Sequence, residues 1–136
     1  MSQEDNLRVI HEAFEAWNAH DVDRYAALLG EDYVEETHTM PGSVRGREAA
    51  RTVMQEYLRA LPDLHFDLDV MVSSGDQVFT RWRVTGTYGG GLTNVSPIGR
   101  RVEDGGCTLS KLEQGKIIHV WRYWETDHIP RHVAPH

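Results

Sequence analysis

The segment Gly115-Lys116-Ile117-Ile118-His119-Val120-Trp121-Arg122-Tyr123-Trp124-Glu125 decides the fold. It opens on a turn and continues in β-branched and aromatic residues, which favour a pleated strand. Alternation along that strand puts Trp121, Tyr123 and Glu125 on one face. A carboxylate sharing a face with two aromatic rings suits a pocket for acid–base chemistry better than a solvated surface. Two earlier stretches have the same strand character: Arg81-Trp82-Arg83-Val84-Thr85-Gly86-Thr87-Tyr88, and the run that follows Pro97-Ile98-Gly99-Arg100.

From this segment back to Leu64, strand patterns and turns alternate. Leu64, Phe66, Leu68 and Val70 alternate with His65, Asp67 and Asp69, as in a half-buried strand. Ser73-Ser74-Gly75-Asp76 reads as a hairpin turn, and Val78 to Tyr88 as the second strand. Gly89-Gly90-Gly91 opens a loop. Arg101 to Leu112 reads as the third strand, Glu113 to Lys116 as a turn, and Ile117 to Thr126 as the last strand. Before Leu64 the period is that of a helix. Leu7, Ile10, Phe14 and Trp17 mark a first helix, widened by Val9 and Ala13. Asp21 is placed to cap a short second helix that stops at Gly30. Asp32 to Thr39 is extended, and Pro41-Gly42-Ser43 is a loop. A third helix spans Arg47 to Leu61, with Pro62 just beyond it. Three helices followed by a meander of antiparallel strands is an α+β plan. Its physical solution is a curved sheet wrapped round the helices as a cone, with room for an apolar pocket between the layers.

A chain of 136 residues fits one domain, residues 1–136, and 40% hydrophobic content predicts a folded core. Apolar runs are short and broken by charges, so no membrane span is expected. Met1 to Asp5 is acidic without an apolar export segment, and the lone Cys107 has no internal disulfide partner. Both point to the cytoplasm. A formal charge of −7 without a basic stripe argues against nucleic acid as a partner. No Walker-type loop, dinucleotide fingerprint or Gly-x-Ser-x-Gly elbow occurs, and no cofactor is expected. His128 and His132 have helix-pairing spacing, but Pro130 interrupts it, and His119 and His136 do not clearly converge with them. No metal site is expected. Cys107, mid-strand, reads as a small core hydrophobe.

With these elements in order, the chain resembles the SnoaL-like polyketide cyclases of the nuclear transport factor 2-like superfold. The resemblance rests on AWNAHDVDRYAALL in the first two helices, PGSVRGREAAR before the third, LPDLHFD entering the sheet, RWRVTGTY, SPIGRRV and GKIIHVWRYWE. It implies a cone fold, a homodimer, and an intramolecular aldol step that closes a ring on a small, mostly apolar carbonyl compound. The family pattern has a tryptophan followed four residues later by a catalytic aspartate; here those positions are Trp121 and Glu125. Tyr88 and Glu36 stand where the pattern often has histidines. The superfold also hosts isomerases, dehydratases, epoxide hydrolases and non-catalytic ligand-binding domains, which remain alternatives.

The expected site follows from these readings. Glu125 is the proton-transfer group, its pKa raised by neighbouring rings. Tyr88 donates to a developing enolate oxygen. Glu36 and His38 share a strand face and form a second polar cluster. Trp17, Trp82, Trp121 and Tyr123 supply substrate-binding walls, a role that ordinary core packing explains almost as well.

Overall fold

The computed structural model describes residues 2–38, 42–90 and 98–125. Helix α1 (Gln3–Asn18) begins at a reciprocal cap: Asp5 N–H donates to Ser2 Oγ, and Ser2 N–H donates to the Asp5 carboxylate. Its buried stripe is Asn6, Ile10, Ala13 and Ala16. After a turn, Asp21 caps α2 (Val22–Ala26) by accepting from Arg24 N–H. Helix α3 (Arg47–Ala60) follows Gly46, whose φ of 89° admits the sharp entry from the preceding strand.

Six strands make one open sheet in the order β2-β1-β6-β5-β4-β3. They are β1 (Leu29–Thr37), β2 (Val44–Arg45), β3 (His65–Ser74), β4 (Gln77–Thr87), β5 (Arg101–Glu113) and β6 (Lys116–Trp124). Strands β3 to β6 form the expected antiparallel meander. The sheet does not end there, because β1 pairs with β6 in parallel and β2 extends the edge beyond it. The second helix stops at Ala26, short of Gly30. Leu29, fully buried, already pairs with Ile117 and draws Gly30 into β1.

The helices lie on one face of the sheet, and the core sits between the layers. One buried cluster joins Ile10, Ala13 and Ala16 of α1 to Tyr25, Leu29, Tyr33, Met54, Ile117 and Val120. A second gathers Tyr57, Ala60, Leu61, Trp82, Val84, Tyr88 and Val102. Each large apolar side chain so buried contributes about 1.5–3 kcal/mol. The end of α1 is tied to the start of β3 by polar bonds. Asn18 donates to the Phe66 carbonyl (2.9 Å) and accepts from the Phe66 amide (2.7 Å), and the His20 ring meets the Leu64 carbonyl at 2.8 Å. These bonds hold helix and sheet at a fixed separation over the site described next.

Candidate active site

Between α1, α3 and the inner sheet face lies a hollow. The wall is mostly apolar: Ile10, Ala13 and Phe14 from α1, Leu61 and Leu64 beyond α3, Val84 and Val120 from the sheet. Aromatic rings cover much of the rest. Trp17, Phe66, Trp82 and Trp124 meet edge-to-face in sequence, with centroids 5.7, 5.4 and 5.1 Å apart. Polar groups enter at Thr108, Ser110, Tyr25, Tyr57 and Arg122.

Arg122 is the only lysine or arginine in this wall among the described residues. Its guanidinium lies 2.9 Å from Glu35 Oε2, and the two side chains are 20% and 10% exposed. Glu35 Oε1 accepts from the Tyr33 hydroxyl at 2.8 Å. The Tyr33 and Tyr25 hydroxyls interact in turn, and Tyr25 interacts with Trp17. The outcome is a line of polar groups from the hollow to a buried carboxylate: Tyr25, Tyr33, Glu35, with Arg122 beyond. Burial pushes both tyrosine pKa values up, and the nearby Glu35 charge pushes them further. Burial works against the Arg122 charge, yet Glu35 and the tyrosine oxygens more than offset it, and its pKa is raised.

Neighbouring strands create this arrangement. On β1, Tyr33, Glu35 and Thr37 alternate inward and are buried. On β6, Val120, Arg122 and Trp124 face the hollow. The parallel register pairs Glu35 with Val120 and Thr37 with Arg122, so the carboxylate and guanidinium sit side by side across the strand junction.

The expected residues divide between the two faces of the sheet. Trp17 and Trp82 line the hollow, and the Trp82 indole donates to Thr108 Oγ1 at 2.9 Å. Trp121, Tyr123 and Glu125 do share a face, but it is the outer one. Glu125 has a side chain 52% exposed and lies 3.7 Å from Arg83; Tyr123 is 43% exposed. Trp121 is half-buried and stacks on His119 with ring centroids 3.9 Å apart. The expectation that Glu125 looks into the pocket is therefore corrected. The physical cause is a β-bulge: Lys111 pairs with His119 but Leu112 with Ile117, leaving Ile118 as an extra residue in β6. Ile117 and Val120 are both buried, three apart rather than two, and every side chain after the bulge changes face.

Glu36 and His38 also lie on the outer face, and they do not pair with each other. Glu36 meets His119 Nε2 at 2.6 Å, and the His38 ring lies against Tyr123 with centroids 5.2 Å apart. Tyr88 belongs to the second core cluster with Tyr57, Ala60 and Leu61, next to the hollow but not among the described residues of its wall. Cys107 is half-buried, and burial pushes its thiol pKa up. No group of histidine, cysteine or carboxylate side chains among the described residues could hold a metal ion. His128, His132 and His136 lie outside the described residues.

The sequence reading passed over Glu35, Arg122, Tyr25, Tyr33 and Trp124. A signal was present for Glu35: an inward Tyr33 requires an inward Glu35 two residues on. For Arg122 and Trp124, only the bulge reveals the face.

A family model for SnoaL-like polyketide cyclases matches residues 8–129. Among solved structures, AclR of Streptomyces galilaeus, described as a candidate hydroxylase, is similar at a TM-score of 0.80 and 24% identity, over 91% of this chain and 77% of that one. A SnoaL-like candidate polyketide cyclase of Jannaschia sp. is similar at 0.81 and 21%, over 90% and 87%. IdmH of Streptomyces antibioticus, a candidate polyketide cyclase, is similar at 0.75 and 25%, over 88% and 91%. No curated protein matches the chain by sequence.

Proposed function

The chain belongs to the SnoaL-like polyketide cyclase family, and on that footing we propose that its hollow binds a small, mostly apolar carbonyl compound and carries out cofactor-independent, aldol-type acid–base chemistry on it. The observation that carries this reading is the Arg122–Glu35 pair, set at 2.9 Å into an otherwise apolar, ring-lined wall. Glu35 engages only part of the five-donor guanidinium. The remaining donors serve an oxygen on which negative charge develops, and the low-dielectric surroundings strengthen that attraction.

The hydroxyl chain supplies the proton transfer. A substrate proton taken up by the Tyr25 oxygen sends the Tyr25 proton to Tyr33 and the Tyr33 proton to Glu35. Glu35 ends as the neutral acid and the substrate as the enolate. Arg122 then exchanges a carboxylate for an enolate as its counter-ion, so no buried charge is left alone. After the new carbon–carbon bond forms, the reverse transfer protonates the alkoxide. The rings of Trp17, Phe66, Trp82 and Trp124 hold the flexible substrate folded, which brings the reacting carbons near contact distance.

The test is deuterium exchange α to the carbonyl, followed by proton NMR in D2O with a panel of aryl ketones and β-diketones. The parent protein accelerates exchange, and Glu35→Gln and Tyr25→Phe each lower it by about a hundredfold or more. Glu125→Gln behaves as the parent does. An unimpaired Glu35→Gln variant sinks the assignment. Ligand binding without any exchange turns the reading toward a binding domain.

A homodimer fits the outer face. Val72, Phe79, Leu109 and Trp121 are cross-strand partners that form an apolar row, with Val72 54% exposed and Tyr123 alongside. Such a row suits a second copy of the chain. Sedimentation of the parent and of Phe79→Arg tests it, and a parent that sediments as a monomer refutes it. The lone Cys107 fits a reducing compartment, and the cytoplasm is the proposed location. No helix among the described residues is long and apolar enough to cross a membrane.

A further inference from the structure

Three tryptophans line the hollow, and their indole N–H groups have different fates. The Trp17 indole interacts with Tyr25. Trp82 spends its donor on Thr108 Oγ1. Trp124 Nε1 is buried and has no acceptor among the described residues. A buried donor without an acceptor is costly in a folded protein, and a bound molecule that supplies an oxygen removes the cost. Trp124 also has a defined relation to the charged end of the hollow. It follows Arg122 by two residues on β6, so both side chains leave the strand on the inner face with origins about 7 Å apart.

We propose that Trp124 is a ligand-orienting residue whose indole N–H binds a second, uncharged oxygen of the substrate while Arg122 holds the oxygen that becomes the enolate. This rests on the reading of the hollow as the substrate site and adds to it the class of molecule selected: a compound oxygenated at two positions on an apolar frame. The indole N–H is a neutral donor with no acceptor capacity. It therefore selects a carbonyl or ether oxygen over a hydrogen or methyl group, and it fixes which end of the molecule lies at Arg122. A donor left unpaired also counts against wholly hydrocarbon ligands, which fit the rings equally well but leave the indole unsatisfied.

The test compares 6-acetyl-1-tetralone with 6-isopropenyl-1-tetralone, two bicyclic ketones that share the ring carbonyl for Arg122 and differ in a second carbonyl oxygen against a methylene group, by calorimetric titration of the parent and of Trp124→Phe. The parent binds the diketone about tenfold more tightly, the equivalent of about 1.4 kcal/mol, and Trp124→Phe abolishes that preference while still binding the isopropenyl ketone. A second measurement needs no variant. In the 15N-labelled parent, the Trp124 indole proton, assigned by sequential connectivity, moves downfield with the diketone and not with the isopropenyl ketone. A preference that survives in Trp124→Phe, equal affinity of the parent for both probes, or an indole signal indifferent to the second oxygen overturns the role of Trp124 and leaves the hollow as a binding site. Failure of both probes to bind the parent overturns the substrate-site reading itself, and this inference with it.

Discussion

Glu35→Gln removes the counter-charge of Arg122 while preserving the size and shape of the side chain. The two partners are only 10% and 20% exposed, so the relevant scale is the about 3–5 kcal/mol lost when one member of a buried pair is deleted. An exposed pair would lose only about 0.2–1 kcal/mol. The residual exposure of Arg122 points to the lower end, about 3 kcal/mol. Tyr33 can still donate to the glutamine carbonyl, so little is added from that bond. In urea unfolding followed by tryptophan fluorescence, a slope of about 1.5 kcal/mol per M converts this loss into a midpoint about 2 M lower. The companion variant Glu35→Leu/Arg122→Met removes both charges and recovers more than half of the loss, because the stranded guanidinium is the main penalty. A midpoint shift for Glu35→Gln below about 0.5 M, or a double variant no more stable than the single, refutes the view of this pair as buried and mutually dependent.

Other perturbations probe the frame around it. In Gly106→Ala the new Cβ would lie 2.3 Å from the Tyr123 carbonyl oxygen and 2.9 Å from the Trp82 ring. Thermal unfolding should show a loss at or above the upper end of the about 1–3 kcal/mol typical of overpacking. Deleting Ile118 removes the bulge, turning Arg122 outward and Glu125 inward. The product should lose cooperative unfolding and bind hydrophobic dyes, and a native-like variant contradicts the account of the bulge. Asp63 accepts from the Thr87 amide (2.6 Å) and hydroxyl (2.9 Å), and the Thr87 amide leads in holding its pKa below 3.8 against a partial opposing effect of burial. A lowered folded-state pKa means stability that is present above the ordinary carboxylate value and lost as pH falls through the lowered one. Asp63→Asn should therefore flatten the acid limb of the urea midpoint measured from neutrality down to about pH 3, and parallel curves for variant and parent would rule this out.

The elements were legible because local patterning decides them. The spacing of Leu7, Ile10, Phe14 and Trp17 marks α1, and Asp21 does cap α2. The alternation from Leu64 onward and the turn at Gly75 place β3 and β4 within a few residues. The parallel junction of β1 with β6 was not legible, since it joins segments about ninety residues apart without a local signature. The site depended on one backbone irregularity. Alternation counted from the buried Ile117 sends Trp121, Tyr123 and Glu125 inward, and the extra Ile118 reverses the answer for everything that follows. Glu35 was obscured by its neighbour: Glu35-Glu36 looks like a charged run, whereas the two residues face opposite sides of the sheet. The aromatic rings were better anticipated, because Trp17 and Trp82 are buried whichever role they play.

The sheet order has a consequence for how the protein comes into being. On the ribosome β6 emerges after the other five strands, yet its place is in the middle of the sheet, between β1 and β5. Until it arrives, a nascent chain carries two unzipped borders whose amides and carbonyls await the same missing ribbon. Arg122 arrives on that ribbon, so a chain paused before it has Glu35 without its cation and rings that enclose nothing. The hollow is thus completed in one late step, and a chain stalled near position 115 exposes unpaired borders and apolar rings, the kind of surface on which incompletely folded chains aggregate.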